Sequence, residues 1–261
     1  MLAPMRRTAA ILVLAVSAVL VAGCGGSGHA TAKTNTGSAA AKTKPGAGAP
    51  SGGASGGGEE AKARAFAIAV NLKASDLPGF HASPEHQHQG AAEKRLEPEL
   101  LKCVGGAAVK GAATEAGSKT YERGASVISQ SVSSQVTVAR TAALAAKELA
   151  SIRAGHLQGC LSHYFNLLLA SQNLHGAKVG PVSTKHGSPP APGTGGSFGL
   201  RFTETLTLRG LRIPFYVDIL GFVKGPAEVS LFTFGVPRQF PAALEEQLFS
   251  LLLERAKAHR A

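Results

Sequence analysis

The chain has 261 residues, 44% of them hydrophobic and 16% charged, which is material for one core of ordinary size and not for two. It has no Trp and only 3 Tyr, which argues against a surface of stacked aromatics for sugars or single-stranded nucleic acid. The formal charge of +11 is spread along the chain and forms no basic patch, so nucleic acid is not an expected partner.

Residues 1–23 carry the three parts of an export signal: Arg6 and Arg7, an apolar run over residues 9–22, and small residues before Cys24. The run is too short to span a bilayer comfortably. The stretch Val21-Ala22-Gly23-Cys24 resembles the lipobox of bacterial lipoproteins. That resemblance implies cleavage before Cys24, lipidation of its sulfur, and a mature chain held on the outer face of the cytoplasmic membrane. Acyl chains at about 0.8 kcal/mol per buried methylene anchor such a chain durably.

Residues 24–58 comprise the lipidated Cys and a tether of Gly, Ala, Ser, Thr, Pro and Lys, which buries too little apolar surface to offset its ordering entropy. Its expected end-to-end distance is on the order of 30 Å, enough to lift a domain clear of lipid headgroups. Residues 59–261 form the expected single domain.

Within it, Phe66, Ile68, Val70 and Leu72 alternate with smaller or polar residues, predicting a strand with an Ala-rich helix as the competing reading; Ser75-Asp76-Leu77-Pro78-Gly79 then turns the chain. Pro98 suits the first turn of a short helix carrying Leu100, Leu101 and Cys103. Residues 126–140, rich in Val, Ile, Ser and Thr, predict one long or bulged strand, or two short ones. Thr141 caps a helix running to Ile152, and a second helical piece covers residues 156–171.

Around Gly210 and Leu211 the alternation predicts a tight hairpin with Leu208 opposite Ile213, Leu206 opposite Phe215, and Phe202 opposite Ile219. The other face then carries Arg201, Thr203, Thr205 and Thr207, with Asp218 opposite Thr203 and diagonal to Arg201. Leu220 and Phe222 on that second face predict cover on both sides. A strand over residues 229–234 and an amphipathic helix opened by Pro241, with Leu244, Leu248 and Leu251 on one stripe, complete an α+β domain: one mainly antiparallel β-sheet flanked by helices.

Cys103 and Cys160 are the cysteines that remain once Cys24 is lipidated, and an exported pair is expected to bond. On the chain-entropy account the closed loop contributes up to ~4 kcal/mol. A rival use exists for the same thiol: His156, Cys160 and His163 fall at i, i+4 and i+7 on one helical face and are candidate zinc ligands, or a thiol nucleophile with a base beside it. Oxidation of Cys160 removes that site. His81, His86 and His88, with Glu85, form a polar loop whose His-x-His spacing suits a divalent cation if both rings turn the same way. Glu204 lies on the apolar face between Phe202 and Leu206, where a lone carboxylate is costly, and is the candidate residue of a ligand pocket, with strand-edge exposure or pairing with a Lys or Arg as the competing readings. No serine-hydrolase elbow, phosphate-cradling glycine loop, HExxH or EF-hand pattern occurs, and no cofactor is expected.

The stretches at residues 72–80 (LKASDLPGF), 101–106 (LKCVGG), 127–140 (VISQSVSSQVTVAR), 159–161 and 217–236 resemble exported lipoproteins of high-GC Gram-positive bacteria with a PsbP-like α/β/α sandwich. More distantly they resemble extracellular sensor domains of actinobacterial serine/threonine kinases. The chain departs from the kinases in having no kinase domain or transmembrane helix and a single Cys pair. The resemblance implies an envelope binding or sensing module with its two cysteines joined; the lipobox, the tether and the missing catalytic motifs add the expectation that it is non-catalytic and binds a small or lipid-like ligand or an envelope protein. The alternative expectation is an envelope hydrolase or metal-dependent enzyme using a His/Cys or His/Glu site.

Overall fold

The computed structural model describes residues 56–83, 112–125, 128–154, 156–171, 177–208 and 210–261, with isolated positions between 95 and 103. The signal, the lipobox, nearly all of the tether, Glu85, His86 and His88 lie outside the described residues, and so does most of the segment after Pro98.

Among the described residues nine strands build one antiparallel sheet: β1 (His81–Ala82), β2 (Ala112–Gly117), β3 (Tyr121–Ala125), β4 (Ile128–Ala139), β5 (Ala177–Val179), β6 (Ser183–Gly187), β7 (Gly196–Leu208), β8 (Leu211–Lys224) and β9 (Ala227–Val236). The long strands β4, β9, β8 and β7 lie side by side in that order. At one edge β2 and β3 share the outer side of β4, and at the other β5 and β6 share the outer side of β7. Helices α1 (Gly56–Val70) and α4 (Ala242–Ala258) cover one face; α2 (Ala142–Arg153) and α3 (His156–Ser171) cover the other. The result is an α+β fold in three layers with two apolar cores.

Residues 66–70, read as strand, are the end of α1. Strand geometry would place Phe66, Ile68 and Val70 on one face, yet Ile68 is 58% exposed while Ala63, Phe66, Ala67 and Val70 are buried. Those four recur at i, i+3, i+4 and i+7, so the alanines that the alternation reading ignored decide the period. Leu72 is buried just beyond the helix, its amide donating to Ser134 Oγ at 2.9 Å.

Apart from the hairpin, the other predicted elements that fall within the described residues lie close to their predicted places. β4 occupies the Val/Ile/Ser/Thr stretch. Thr141 caps α2, accepting from the Leu144 amide. Pro241 precedes α4, whose Leu248 and Leu252 are fully buried, with Leu244 and Leu251 packed at the margin of the same core. Phe222 meets Phe249 of α4 edge to face at 5.5 Å, and Leu220 borders the same core, so β8 is covered on both sides.

The hairpin is displaced by two positions from its predicted register. Leu208 pairs with Leu211, Leu206 with Ile213, Phe202 with Val217 and Leu200 with Ile219. The bend centres one residue earlier than expected, where Gly210 takes the left-handed conformation at φ +82°. A shift of two preserves the faces: Phe202 and Ile219 are buried together on the α2/α3 side with Phe215 packed against their core, and Leu206, also buried, falls on the same side by alternation. It also places Asp218 opposite Arg201 instead of Thr203, and a two-pronged ion pair forms at 2.5 and 2.8 Å.

Leu206→Ala is expected to cost about 2–5 kcal/mol through lost burial and the cavity left behind, whereas Thr205→Ala, on the opposite side of β7, costs well under half of that. Equal losses in denaturant titration would show that the α2/α3 face of β7 is wrongly placed.

Candidate functional site

Helix α2 lies across the sheet and packs against β4, β9, β8 and β7. Its last turn ends over β7, where Arg153 turns back and donates Nε and Nη2 to the Ser197 carbonyl at 2.9 and 2.5 Å. Beside this anchor a cleft of about 480 Å³ opens between the end of α2 and the β6–β7 edge. Ile152, Phe198 and Leu200 give it an apolar floor; Arg153, His186 and Ser188 give it a polar rim. The floor depends on a close approach, because Phe198 lies where a side chain at Gly221 on β8 would have to go. Helix α3 packs beside α2 and onto β5 and β6, where Ser162 and Thr184 hydroxyls meet at 3.3 Å.

One turn earlier on α2, about 6 Å along its axis, Glu148 enters a group of three carboxylates. Glu115 on β2 and Glu228 on β9 both pair with Thr137 of β4, from opposite sides, so they share one row across the sheet. Gln135 Nε2 donates to Glu115 Oε1, and Ser230 Oγ donates to Glu228 Oε1 at 3.3 Å. Glu228 Oε2 is sealed from solvent and has no hydrogen-bond partner. Burial, then the neighbouring Glu148 charge, pushes Glu115 up to about 7; burial, Glu148 and Glu115 push Glu228 up to about 8. Burial raises Glu148 as well.

Glu204, the candidate pocket residue, stands on β7 opposite Phe215, between Phe202 and Leu206 and beyond the ends of β5 and β6. It is 8% exposed, its Oε1 meets no partner, and burial pushes it up to about 7. It does not line the cleft. The sequence clue therefore located a costly carboxylate, while the cavity lies elsewhere on the same strand.

The second polar group is fully paired. On the α1/α4 face Asp218 holds Arg201, Thr233 Oγ1 donates to Glu245 Oε1 at 2.5 Å, and Arg201 Nη2 stands 3.8 Å from Glu245 Oε2. Glu245 is in the first turn of α4, so this network fixes the start of that helix to the sheet.

Cys103 and Cys160 are joined, with Cα atoms 5.6 Å apart. The bond takes the thiolate from the His156, Cys160, His163 trio; His163 is exposed, and the His156 side chain is outside the described set. Among the described residues no group of three His, Cys, Asp or Glu is arranged to hold a metal ion. His81 is exposed on β1. The cleft residues carry no motif in the sequence. Glu228 carried the same sign as Glu204, a carboxylate in an otherwise apolar strand run, and went unread.

No family model matches the chain, and no curated protein matches it. Among solved structures it is similar to the extracellular domain of PknH from Mycobacterium tuberculosis, at 13% identity and a TM-score of 0.35, over 75% of this chain and 96% of that one. A likeness of that degree assigns no function.

Since Glu204 binds its proton more tightly folded than unfolded, the folded state loses relative stability as pH rises from about 4.5 through about 7. Glu204→Gln removes that loss. Thermal midpoints of the variant and the parent should therefore converge near pH 4.5 and separate, variant higher, by pH 8; a gap independent of pH would refute the assignment.

Proposed function

We propose that the chain is a lipid-anchored envelope lipoprotein whose domain is a non-catalytic binding module, with the cleft at the end of α2 as its ligand site. The cleft itself is the observation that carries this reading. An apolar floor of Ile152, Phe198 and Leu200 under a rim of Arg153, His186 and Ser188 suits a small molecule with an apolar body and a polar end. Among the described lining residues there is no carboxylate, and the carboxylates that burial raises lie at the α2–sheet contact, on β7 away from the lining residues, or in the first turn of α4 on the other face. That separation weighs against an acid–base centre in the cleft.

The anchor rests on residues 1–24. Among the described residues no helix is long and apolar enough to cross a membrane, and the lipobox offers attachment without one. In this reading the domain stands off the outer face of the cytoplasmic membrane on its tether, and an envelope protein is the alternative occupant of the cleft.

Two measurements test the two halves separately. Cys24→Ala should abolish incorporation of an acyl analogue during growth; undiminished label would defeat the lipoprotein assignment. Ser188 is an exposed lining residue, so Ser188→Trp should obstruct the cleft with little effect on folding. Mass spectrometry of the full chain extracted from its native membrane should find a small molecule with the parent and at least about tenfold less with the variant. Equal recovery from both, or none from the parent, would overturn the cleft assignment.

A further inference from the structure

The three carboxylates at the contact of α2 with the sheet have no role in the binding reading, yet Glu148 stands on, and Glu115 and Glu228 lie under, the helix that forms one wall of the cleft. Glu148 precedes Ile152 by one turn on the same side of the helix. We propose that Glu115, Glu148 and Glu228 form a proton-operated latch that keeps α2 seated on the sheet in mildly acidic solution and loosens it in alkaline solution. The latch rests on the placement of the three carboxylates and not on the binding reading; its consequence for a ligand rests on that reading.

The surroundings of the cluster define its behaviour. From β2 comes Glu115; from β4 come the uncharged Thr137 and Gln135; from β9 come Glu228 and Ser230; from β8 comes Val223, which pairs with Glu228; from β7 comes Gly196, which pairs with Val223. Helix α2 adds Glu148. The basic residues on these elements are directed elsewhere: Arg153 to the Ser197 carbonyl, Arg201 to Asp218 and Lys224 to the Ala256 carbonyl on the α4 side, with Arg140, Lys147 and Arg212 exposed. Among the described residues no cation contributes to the protonation of any of the three. Protonated, the cluster is a set of neutral carboxyls with donors of their own to share. Ionised, it places like charges in a desolvated row, and the row is relieved when Glu148 leaves with α2. The folded proton affinity is the higher one, so seating is strongest below about pH 4.5 and weakens as pH rises through 7 and 8.

Hydrogen exchange of the full chain, with rates at each pH referred to unstructured peptides, tests the latch without any ligand. Failure of the binding reading therefore leaves this measurement intact. Protection of amides 142–153, relative to those of β9, should fall about tenfold or more between pH 5.5 and 8 in the parent. In Glu228→Gln and in Glu148→Gln the fall should be held to about twofold. Should Glu228→Gln fold poorly, Glu148→Gln, at a half-buried helix position, carries the comparison. Protection of α2 that is constant with pH in the parent, that falls equally in parent and variants, or that is lost equally from α2 and β9 would overturn the proposal.

Discussion

Helices cover both faces of the sheet, so a charged side chain rooted on a central strand has two ways to exist: find an opposite charge or give up its own. Both occur here. Asp218 is buried and meets Arg201 in a two-pronged contact, and the side chain of Arg201 reaches partial exposure. Glu204 and Glu228 find no cation, and burial shifts each toward its neutral form. The cost of these acids follows from the double cover and not from their immediate sequence neighbours. An identical Glu on a strand with one wet face would simply turn to solvent.

The two faces differ in how firmly their helices are held. Helix α4 buries Leu248, Phe249, Leu252, Leu253 and Ala256 and pins its first turn through Glu245 to Thr233; Arg255 near its end makes a two-pronged pair with Asp76 at 2.7 and 2.8 Å. Helix α1 closes the same core, and Asn71 just after it joins Ser134 and the Ala116 carbonyl. That side is a scaffold. On the opposite side α3 is tied to the chain at Cys103 by the disulfide, which leaves α2 as the helix of that face without a covalent or two-pronged ionic tie among the described residues.

Legibility in the sequence tracked how local each signal was. Thr141 before an Ala-rich stretch and Pro241 before a leucine stripe marked helix starts, because a cap and a stripe are decided within a few residues. The Gly210 hairpin gave the right faces and a register wrong by two, since alternation has period two and does not sense a slip of two; only the left-handed glycine located the bend. Residues 66–70 were misread because Phe66 and Val70 fit both a strand and a helix period, and the buried alanines that separate the two carry little hydrophobic signal. The disulfide followed from counting. The cleft did not, because Ile152, Arg153, His186 and Phe198 come from three elements whose approach is set by the sheet, and the same holds for the meeting of Glu115, Glu148 and Glu228.

Helix α2 contributes only Ala145 and Leu149 to the fully buried core, with Ile152 packed at its margin. Burying one leucine stabilises by about 1.5–3 kcal/mol, and an alanine adds less. A tenfold change in one protonation constant corresponds to about 1.4 kcal/mol. The forces that seat α2 and the electrostatic forces beneath it are thus of one scale, whereas around α4 packing far outweighs any single titration. A helix so balanced can respond to pH without the domain unfolding, and it is also the helix that ends at Arg153 on the rim of the cleft.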